Sequence, residues 1–180
     1  MALELLAPWV LWYSNFSSEK LGKNYEEDLL ELAELNTLQD FFNTFCNLQK
    51  ICDLQIGDSL AFFRKGKKPL WECCPSGGCW VIRIAKKDSE KAEIFWESLI
   101  VEGVRGGFTE DVAGIMVNCK KFEVSLQVWM YEAAAAHRVV ALDIKKVLKS
   151  NKLDMHLKYH KDSIEVLSHV RHSKKKFVNN

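Results

Sequence analysis

The sequence lacks the features of a bulk nucleic-acid binder or a membrane protein. Its 25 Lys and Arg residues nearly balance 24 Asp and Glu residues, so the net charge is +1 and no polybasic field surrounds the molecule. A nucleic-acid partner would therefore have to be held by a local site. No apolar run approaches the roughly 18 residues that cross a membrane. The apolar start carries Glu4 and no basic segment, so neither a signal peptide nor a membrane partner is expected.

Signatures of catalysis and metal binding are missing as well. The chain has no nucleophile elbow, P-loop, zinc-protease helix or dinucleotide fingerprint. The six cysteines form no paired CxxC sets, and the pairs His156/His160 and His169/His172 have no matching ligands. We therefore expect no metal, no cofactor and no enzymatic activity. A chain of this size needs no disulfides, so we expect reduced thiols in the cytosol or nucleus.

What the chain has is the composition of one globular domain. Apolar residues make up 48% and charged residues 27%, which is an ordinary balance for a protein with a sizeable core. We expect a single domain over 1–180, with 1–7 and about 170–180 as mobile tails. A monomer is expected.

Apolar periodicity predicts about seven strands and three helices. The strand-like segments are 8–14, 59–65, 79–85, 112–121, 123–130 and 155–160, while 28–35 fits either a helical turn or a strand. Asn36 and Thr37 are typical of a helix cap, with Asp40 placed to complement the helix N-terminus. The second helix is predicted over about 90–104 and the third over 131–149. The predicted apolar stripes are Leu38, Phe41, Phe42, Phe45 and Leu48; Ile94, Phe95, Leu99 and Val101; and Val139, Leu142, Ile144, Val147 and Leu148.

These elements do not alternate regularly, so a doubly wound parallel sheet is not expected. We predict an α+β fold, with a curved, mostly antiparallel sheet of about seven to eight strands and three helices on its convex face. The concave face would then be free to bind a ligand. Strand parity decides which of the two faces Arg83 serves.

The stretch Lys68-Pro69-Leu70-Trp71-Glu72 is the most informative in the chain. It places an aromatic plane directly beside a carboxylate, in a loop between two predicted strands. Guanine suits this pair, because its Watson–Crick edge carries two neighbouring N–H donors and a carboxylate offers two matching acceptors. We interpret Trp71 and Glu72 as parts of a guanine pocket. The alternative is an ordinary core tryptophan beside a surface carboxylate.

Two further groups of side chains support a nucleotide site. Tyr25 and Trp129 lie near the ends of predicted strands, and a ring held by aromatic faces gains roughly 1–3 kcal/mol per stacking contact. A positively charged, 7-methylated base would gain a further cation–π contribution of about 0.5–2 kcal/mol. Arg83, Lys120 and Lys121 could hold phosphates if they converge on one rim. The alternative is that these cations are solvated surface residues.

At this point the chain resembles the messenger-RNA cap-binding translation initiation factor 4E family, over about 8–163. The matching stretches are Trp9-Val-Leu-Trp12-Tyr13, Asn36-Thr-Leu-Gln-Asp-Phe-Phe42, Lys68-Pro-Leu-Trp-Glu72, Gly77-Gly-Cys-Trp80, Asp111-Val-Ala-Gly114, and Val117-Asn118 leading to Val128-Trp129. Trp96-Glu-Ser-Leu-Ile100 and Tyr159-His-Lys-Asp-Ser-Ile164 are similar to the branch called 4E-homologous protein. The family fold is an eight-stranded antiparallel sheet backed by three helices.

The resemblance implies a role for each residue of the pocket. Methylguanine would be sandwiched between Trp71 and Tyr25, and the initiation factor proper has Trp where this chain has Tyr25. Glu72 would accept from guanine N1 and N2, and the backbone N–H of Trp71 would donate to O6. Trp129 would lie near the base methyl. Lys120 stands where the family has a phosphate-binding Arg, which keeps the charge but not the geometry.

Two phosphate-binding positions depart from the family. Cys79 stands where the family has Arg, and Ser125 aligns with a family Lys. Arg83 or Lys121 could compensate. We expect a non-enzymatic module that binds capped mRNA in the cytoplasm or nucleus and acts in translation initiation or its regulation. The alternative is an interaction scaffold or translational repressor with weak or lost cap binding.

The resemblance also implies a protein partner on the helical face. The family binds scaffold or regulatory proteins through a helix with the pattern Tyr-x-x-x-x-Leu-apolar. Leu38 and Phe42 match positions of that site, although the family has Trp where Phe42 stands. Glu97 matches the homologous branch. The alternative is that Leu38 and Phe42 belong to the buried stripe of their helix.

Overall fold

A computed structural model of the chain describes residues 2–15, 26–108 and 112–166. Within these ranges it contains seven strands and three long helices. The strands are β1 (Glu4–Asn15), β2 (Leu29–Thr37), β3 (Asp58–Arg64), β4 (Gly78–Ala85), β5 (Val112–Cys119), β6 (Glu123–Met130) and β7 (Met155–Tyr159). The helices are α1 (Leu38–Cys46), α2 (Ser89–Val104) and α3 (Ala133–Val147).

The strands form one curved sheet in the order β2-β1-β3-β5-β6-β4-β7. Every neighbouring pair is antiparallel. The predicted α+β fold is therefore confirmed. Two details differ from the prediction: the last strand ends at Tyr159, one residue earlier than expected, and residues 160–166 are helical up to the end of this described range.

Strand β1 lies inside the sheet although it contains a proline. Pro8 cannot donate to a ladder, and prolines inside sheets are usually confined to edges or irregularities. Here the register shifts between Glu4 and Trp9, so Pro8 falls in the irregular part of the ladder with β2. Its carbonyl still accepts from the Lys65 backbone N–H at 3.0 Å. The strand begins earlier than predicted, since residues 4–7, expected to be a tail, belong to it.

Residues 29–35 of the ambiguous segment belong to β2, the first strand in the order of the described sheet, and a helix cap follows at the end of this strand. Thr37 has an extended backbone and its hydroxyl accepts from the Asp40 backbone N–H at 3.1 Å. The Asp40 carboxylate accepts in return from the Thr37 backbone N–H at 2.9 Å. This reciprocal capping box satisfies two donors at the start of α1, and it confirms the predicted cap.

Alternation along the strands divides the sheet into two faces. One face joins the three helices in the main core, through residues such as Trp9, Leu11, Phe62, Ile82 and Leu126. The opposite face carries a second buried cluster: Val10, Trp12, Ala61, Phe63, Cys74, Cys79, Val81, Ala113, Met116 and Trp129. Arg83 lies two and four positions after Val81 and Cys79 on the same strand, so its side chain is on this second face as well. We call it the open face because the three helices cover the other one.

The predicted helical stripes are wrong at several positions. In α2, Ile94 and Val101 are 62% and 44% exposed, while Trp96 and Ile100 are buried. In α3, Val139 and Leu142 are 47% and 66% exposed. The residues of these two helices that are buried against the sheet include Ala92, Phe95, Trp96, Leu99, Ile100, Ala136, Val140, Ile144 and, at the end of α3, Leu148. The helices therefore carry apolar residues on their outer faces too, and hydrophobicity alone assigned these to the core.

None of the six cysteines is in a disulfide. Cys46, Cys52 and Cys73 are exposed, and the other three are buried. Burial raises the pKa of the Cys79 thiol to about 12, so this residue is a neutral, apolar part of the open face. In the described ranges, no helix is long and apolar enough to cross a bilayer. No group of three or more metal-ligating side chains occurs there either.

Candidate ligand-binding site

A short loop between β3 and β4 carries the Trp-Glu pair. Trp71–Cys73 forms one turn of 3-10 helix, and the Cys74 backbone N–H closes it by donating to the Trp71 carbonyl at 3.0 Å. A tight turn then brings the Gly77 backbone N–H to the Cys74 carbonyl at 2.9 Å. Trp71 is half-buried and Glu72 is exposed. The loop therefore presents both side chains while its backbone stays fixed.

Gly77 permits the loop to lie against its neighbours. A Cβ atom at this position would stand 2.3 Å from the Met130 carbonyl oxygen and 2.9 Å from that of Cys74. It would also meet His160 Nδ1 at 3.1 Å. Two of these contacts are with backbone, which cannot move aside cheaply, so the close approach requires glycine.

His160 anchors the loop from the far edge of the sheet. It is 0% exposed, and its Nδ1 lies 2.8 Å from the Cys74 carbonyl oxygen. Since a carbonyl only accepts, Nδ1 carries the proton. Burial lowers the pKa of the His160 imidazole, which favours the neutral ring. In the sequence, His160 is noticeable only as a weak candidate metal ligand. Its packing against the loop depends on the pairing of β4 with β7, which the sequence pattern does not reveal.

The loop forms one wall of a cavity on the open face. Pro69, Trp71, Glu72, Met116, Asn118, Gln127 and Trp129 line it, and its volume is about 50 Å³. The structure thus brings together the predicted residues Trp71, Glu72 and Trp129. Tyr25, the predicted second aromatic wall, lies outside the described residues. This volume is small for a purine base.

Trp129 is a rigid part of the cavity wall. Its side chain is 2% exposed and meets Phe63 edge-on, with 5.2 Å between ring centroids. The His160 ring lies 4.3 Å from it on another side. Its indole N–H donates to Gln127 Oε1 at 2.9 Å. Trp129 is therefore both a core residue and part of the cavity wall.

Neutral polar groups lie under the cavity, and the sequence analysis missed most of them. Asn118 Oδ1 accepts from the Ser59 hydroxyl at 2.7 Å. Within the described ranges, the buried Asn118 Nδ2 and the Ser125 hydroxyl have no hydrogen-bond partner. Ser125 pairs with Asn118 on one side and with Arg83 on the other. Small neutral groups therefore occupy the sheet between the cavity and the cations.

Two of the three predicted cations converge, and they converge on a carboxylate. Lys120 Nζ lies 2.7 Å from Glu123 Oε1, and Arg83 Nε lies 3.9 Å from the same oxygen. The hydrogen bond from Lys120 lowers the pKa of Glu123, with Arg83 adding to the effect. Lys121 lies instead over the Phe122 ring at 5.2 Å, so the structure does not add it to this cluster. Glu123 offsets part of the positive charge predicted for the rim.

Comparison with known proteins identifies the family of the chain. The family model described as eukaryotic initiation factor 4E matches residues 4–176. The chain belongs to the eukaryotic initiation factor 4E family. Its sequence is 32% identical over 146 residues to the translation initiation factor NCBP of Triticum aestivum, and 31% identical over 147 residues to that of Oryza sativa subsp. japonica. Each match covers 78% of this chain, but only 62% and 63% of the respective relative.

Solved structures share the initiation factor 4E fold with this chain. The chain is similar to Ascaris suum eIF4E-3 in complex with the m2,2,7G cap, with a TM-score of 0.80 and 22% identity. That match covers 89% of this chain and 93% of the other. It is also similar to C. elegans eIF4E-3 bound to the 4E-binding protein Mextli and a cap analog, with a TM-score of 0.81 and 23% identity over 92% and 96% of the two chains.

This member of the 4E family carries one more cation on the open face, beside Trp71, and nothing in the sequence pattern points to it. Lys158 on β7 places its Nζ 4.4 Å from the centroid of the Trp71 ring. Lys158 and Trp71 are 87 positions apart in the sequence. Only the pairing of Lys158 with Cys79 across the sheet brings them together.

The helical face of this 4E domain carries the predicted partner residues. Leu38 is half-buried and Phe42 is 55% exposed, so Phe42 is not part of the buried stripe. Glu97 is exposed and lines an open groove of about 570 Å³ beside Phe45 and Val101. Leu38 and Phe42 do not line that groove. The three residues therefore share the helical face without forming one pocket.

Proposed function

We propose that the chain binds the 7-methylguanosine 5′ cap of mRNA and acts in translation initiation or its regulation. The observation that carries this proposal is the meeting of Trp71, Glu72 and Trp129 at one cavity on the open face. Family membership supports it, as does the fold shared with eIF4E-3 proteins in complex with cap.

In this proposal the base stacks on Trp71, with Tyr25 as the second aromatic wall. Each stacking contact contributes roughly 1–3 kcal/mol. The positive charge of a 7-methylated base adds about 0.5–2 kcal/mol through the electron-rich indole face, and this favours the methylated base over plain guanine. Glu72 accepts hydrogen bonds from N1 and N2, while the Trp71 backbone N–H donates to O6. Trp129 lies on the side of the methyl group.

The phosphates of the cap would lie towards Lys120 and Arg83. Both cations share the Glu123 carboxylate, so a phosphate must compete with a charge that is already in place. Lys121 would contact the phosphates only if the tip of the hairpin between β5 and β6 moved. The Cys79 and Ser125 positions supply no cation. We therefore propose a base-dominated site in which the triphosphate adds modestly to affinity.

The test is retention on immobilised 7-methyl-GTP and elution with free 7-methyl-GTP but not GTP. Glu72→Gln keeps the shape of an exposed side chain and replaces one acceptor with a donor that faces donors. We expect a loss of affinity of about 10- to 100-fold. Glu90→Gln, another exposed glutamate, is the matched control. Equal retention of the two variants would contradict the role of Glu72.

Trp71→Ala should abolish retention as well, with thermal unfolding as the check that the variant is folded. If the wild type is not retained at moderate salt, cap binding is weak or lost. The alternative of an interaction scaffold or repressor would then replace the first proposal. Turnover of a capped dinucleotide would instead indicate an enzyme.

A second proposal concerns the helical face, because large apolar side chains are exposed there. Phe42 is 55% exposed on α1, and Val101 is 44% exposed on α2. Such side chains suit an amphipathic helix with the pattern Tyr-x-x-x-x-Leu-apolar, and Leu38 and Glu97 would flank it. A family relative of this fold is bound to the 4E-binding protein Mextli.

Titration of a labelled peptide with that pattern tests the partner site. Phe42→Ala should weaken binding about tenfold, since it removes an aromatic side chain that the bound peptide would cover. Leu142→Ala, which removes an exposed apolar side chain from α3, is the control. Equal effects of both variants would exclude a specific role for Phe42.

A further inference from the structure

The positively charged ammonium group of Lys158 lies over the indole ring of Trp71. Its Nζ lies 4.4 Å from the ring centroid, within the range in which an ammonium is attracted to an aromatic face. Lys158 pairs with Cys79, and Cys79 pairs with Trp129. Because directly paired residues share a face, Lys158 stands on the open face, in the same row as the cavity wall.

The setting of Lys158 differs from that of the other cations on this face. Lys120 and Arg83 both reach Glu123, whereas in the part of the chain that the structure describes Lys158 makes no ion pair. Its side chain is exposed, and its ammonium lies over the Trp71 ring. A lysine has a flexible four-carbon stem, so its ammonium can leave the indole without any change in the backbone.

A capped nucleotide carries opposite charges at its two ends. Its methylated base is cationic and needs the electron density of Trp71, which the ammonium of Lys158 already uses. Its phosphates are anionic and offer this ammonium a stronger, charge-assisted contact. We propose that Lys158 is a phosphate-binding residue, which rests on Trp71 in the free protein and moves to the phosphate chain when the base stacks.

This inference rests on the proposed function and adds a residue and an exchange to it. Lys158, Cys79 and Trp129 lie side by side on three neighbouring strands. Cys79 is a buried thiol and carries no positive charge, so Lys158 supplies a cation next to that position. The exchange predicts effects of opposite sign at the two ends of the ligand. Removing the ammonium should help the cationic base alone, and should hurt a ligand that carries phosphates.

The experiment compares two ligands in four proteins. Wild type, Lys158→Met, Lys158→Arg and Lys161→Met are titrated with 7-methylguanosine and with 7-methyl-GTP, using tryptophan fluorescence. Methionine keeps the unbranched stem and removes the charge. Lys161 is a matched control, since it is also an exposed lysine over an aromatic ring, here Tyr159 at 5.6 Å. Thermal unfolding of each variant checks that it is folded.

We expect Lys158→Met to bind the nucleoside about twofold to fivefold more tightly, because the Lys158 ammonium no longer competes with the cationic base for the indole. The same variant should bind 7-methyl-GTP about fivefold more weakly. Lys158→Arg should bind 7-methyl-GTP as wild type does, and Lys161→Met should change neither affinity. These results together would support the exchange.

Changes of the same sign for both ligands, or no change for either, would overturn it. An equal loss in Lys161→Met would do the same, because it would indicate a diffuse effect of net charge. Failure of this inference is distinguishable from failure of the proposed function. If the wild type does not bind 7-methyl-GTP at all, the cap-binding proposal itself is lost; if it binds and Glu72→Gln does not, only the role of Lys158 is at issue.

Discussion

Glu123 provides the sharpest prediction about the phosphate end of the site. Its carboxylate holds Lys120 at 2.7 Å and Arg83 at 3.9 Å, on the rim where the sequence predicts a phosphate grip. The hydrogen bond from Lys120 lowers its pKa, so it is ionised at neutral pH and opposes any incoming phosphate. Glu123→Gln should therefore strengthen the binding of phosphorylated cap ligands. This is the opposite of the usual result, in which removal of a charged residue from a binding site weakens binding.

The magnitude follows from the distances and from exposure. A phosphate bound by Lys120 would lie roughly 6 Å from the Glu123 carboxylate, where two unit charges repel by about 0.7 kcal/mol in water and about 3 kcal/mol at an effective dielectric constant of 20. The Glu123 side chain is 29% exposed and that of Lys120 is 49% exposed, so screening favours the lower part of this range. We expect a gain of about 1 kcal/mol, or about fivefold in affinity. Losing the two surface ion pairs should lower stability by less than about 1 kcal/mol.

Isothermal titration with 7-methyl-GTP, 7-methyl-GMP and 7-methylguanosine measures this effect. The gain should be largest for the triphosphate and absent for the nucleoside, and it should shrink with added salt. Glu34→Gln is the matched control, because it likewise releases a lysine, Lys65, at an exposed ion pair on β2. Unchanged or weaker triphosphate binding in Glu123→Gln would refute the placement of phosphates beside Lys120 and Arg83.

Two further predictions concern the support of the loop. Gly77→Ala would place a Cβ 2.3 Å from the Met130 carbonyl oxygen, so we expect a loss of about 1–3 kcal/mol in urea unfolding and weaker retention on 7-methyl-GTP; wild-type stability and retention would contradict the close approach. The pKa of His160 is lowered from 6.5 by burial, so the unfolded chain takes up a proton first as the pH falls. Stability should therefore be fully present above about pH 6.5 and decline below it, towards the lowered folded pKa. His160→Asn should flatten this decline between pH 7.5 and 5.5, and equal slopes would exclude His160 as its cause.

The features that depend on local chemistry could be predicted from the sequence. The Thr37 cap with Asp40 is complete within four residues, so its pattern is visible without the fold. Strand parity likewise places Arg83 on one face with Cys79 and Val81, although only the structure shows which face this is. The placement of Trp71 and Glu72 in a loop beside a strand could be predicted as well. Strand alternation and capping are short-range rules, and they apply here without correction.

The features that depend on long-range pairing could not be predicted. His160 meets the Cys74 carbonyl across 86 positions, and Lys158 meets Trp71 only because β7 pairs with β4. The exposed Ile94 and Val101 were assigned to a core stripe, because nothing in the sequence tells an apolar residue on the outer face from one on the inner face. The residue Glu123 was missed for another reason: its effect is a charge offset, which appears only when its partners are seen together.

The edge strand β7 has a larger role in the site than its five residues suggest. Lys158 within it contacts Trp71, and His160 just after it bonds the Cys74 carbonyl and lies tilted against Trp129. Trp71 and Trp129 thus both contact β7 or the residue that follows it, and among the described strands β7 pairs with β4 alone. Edge strands open more readily than central ones, because fewer hydrogen bonds must break. Hydrogen exchange in β7 should therefore slow when 7-methyl-GTP binds, and it should do so even though none of its residues lines the cavity.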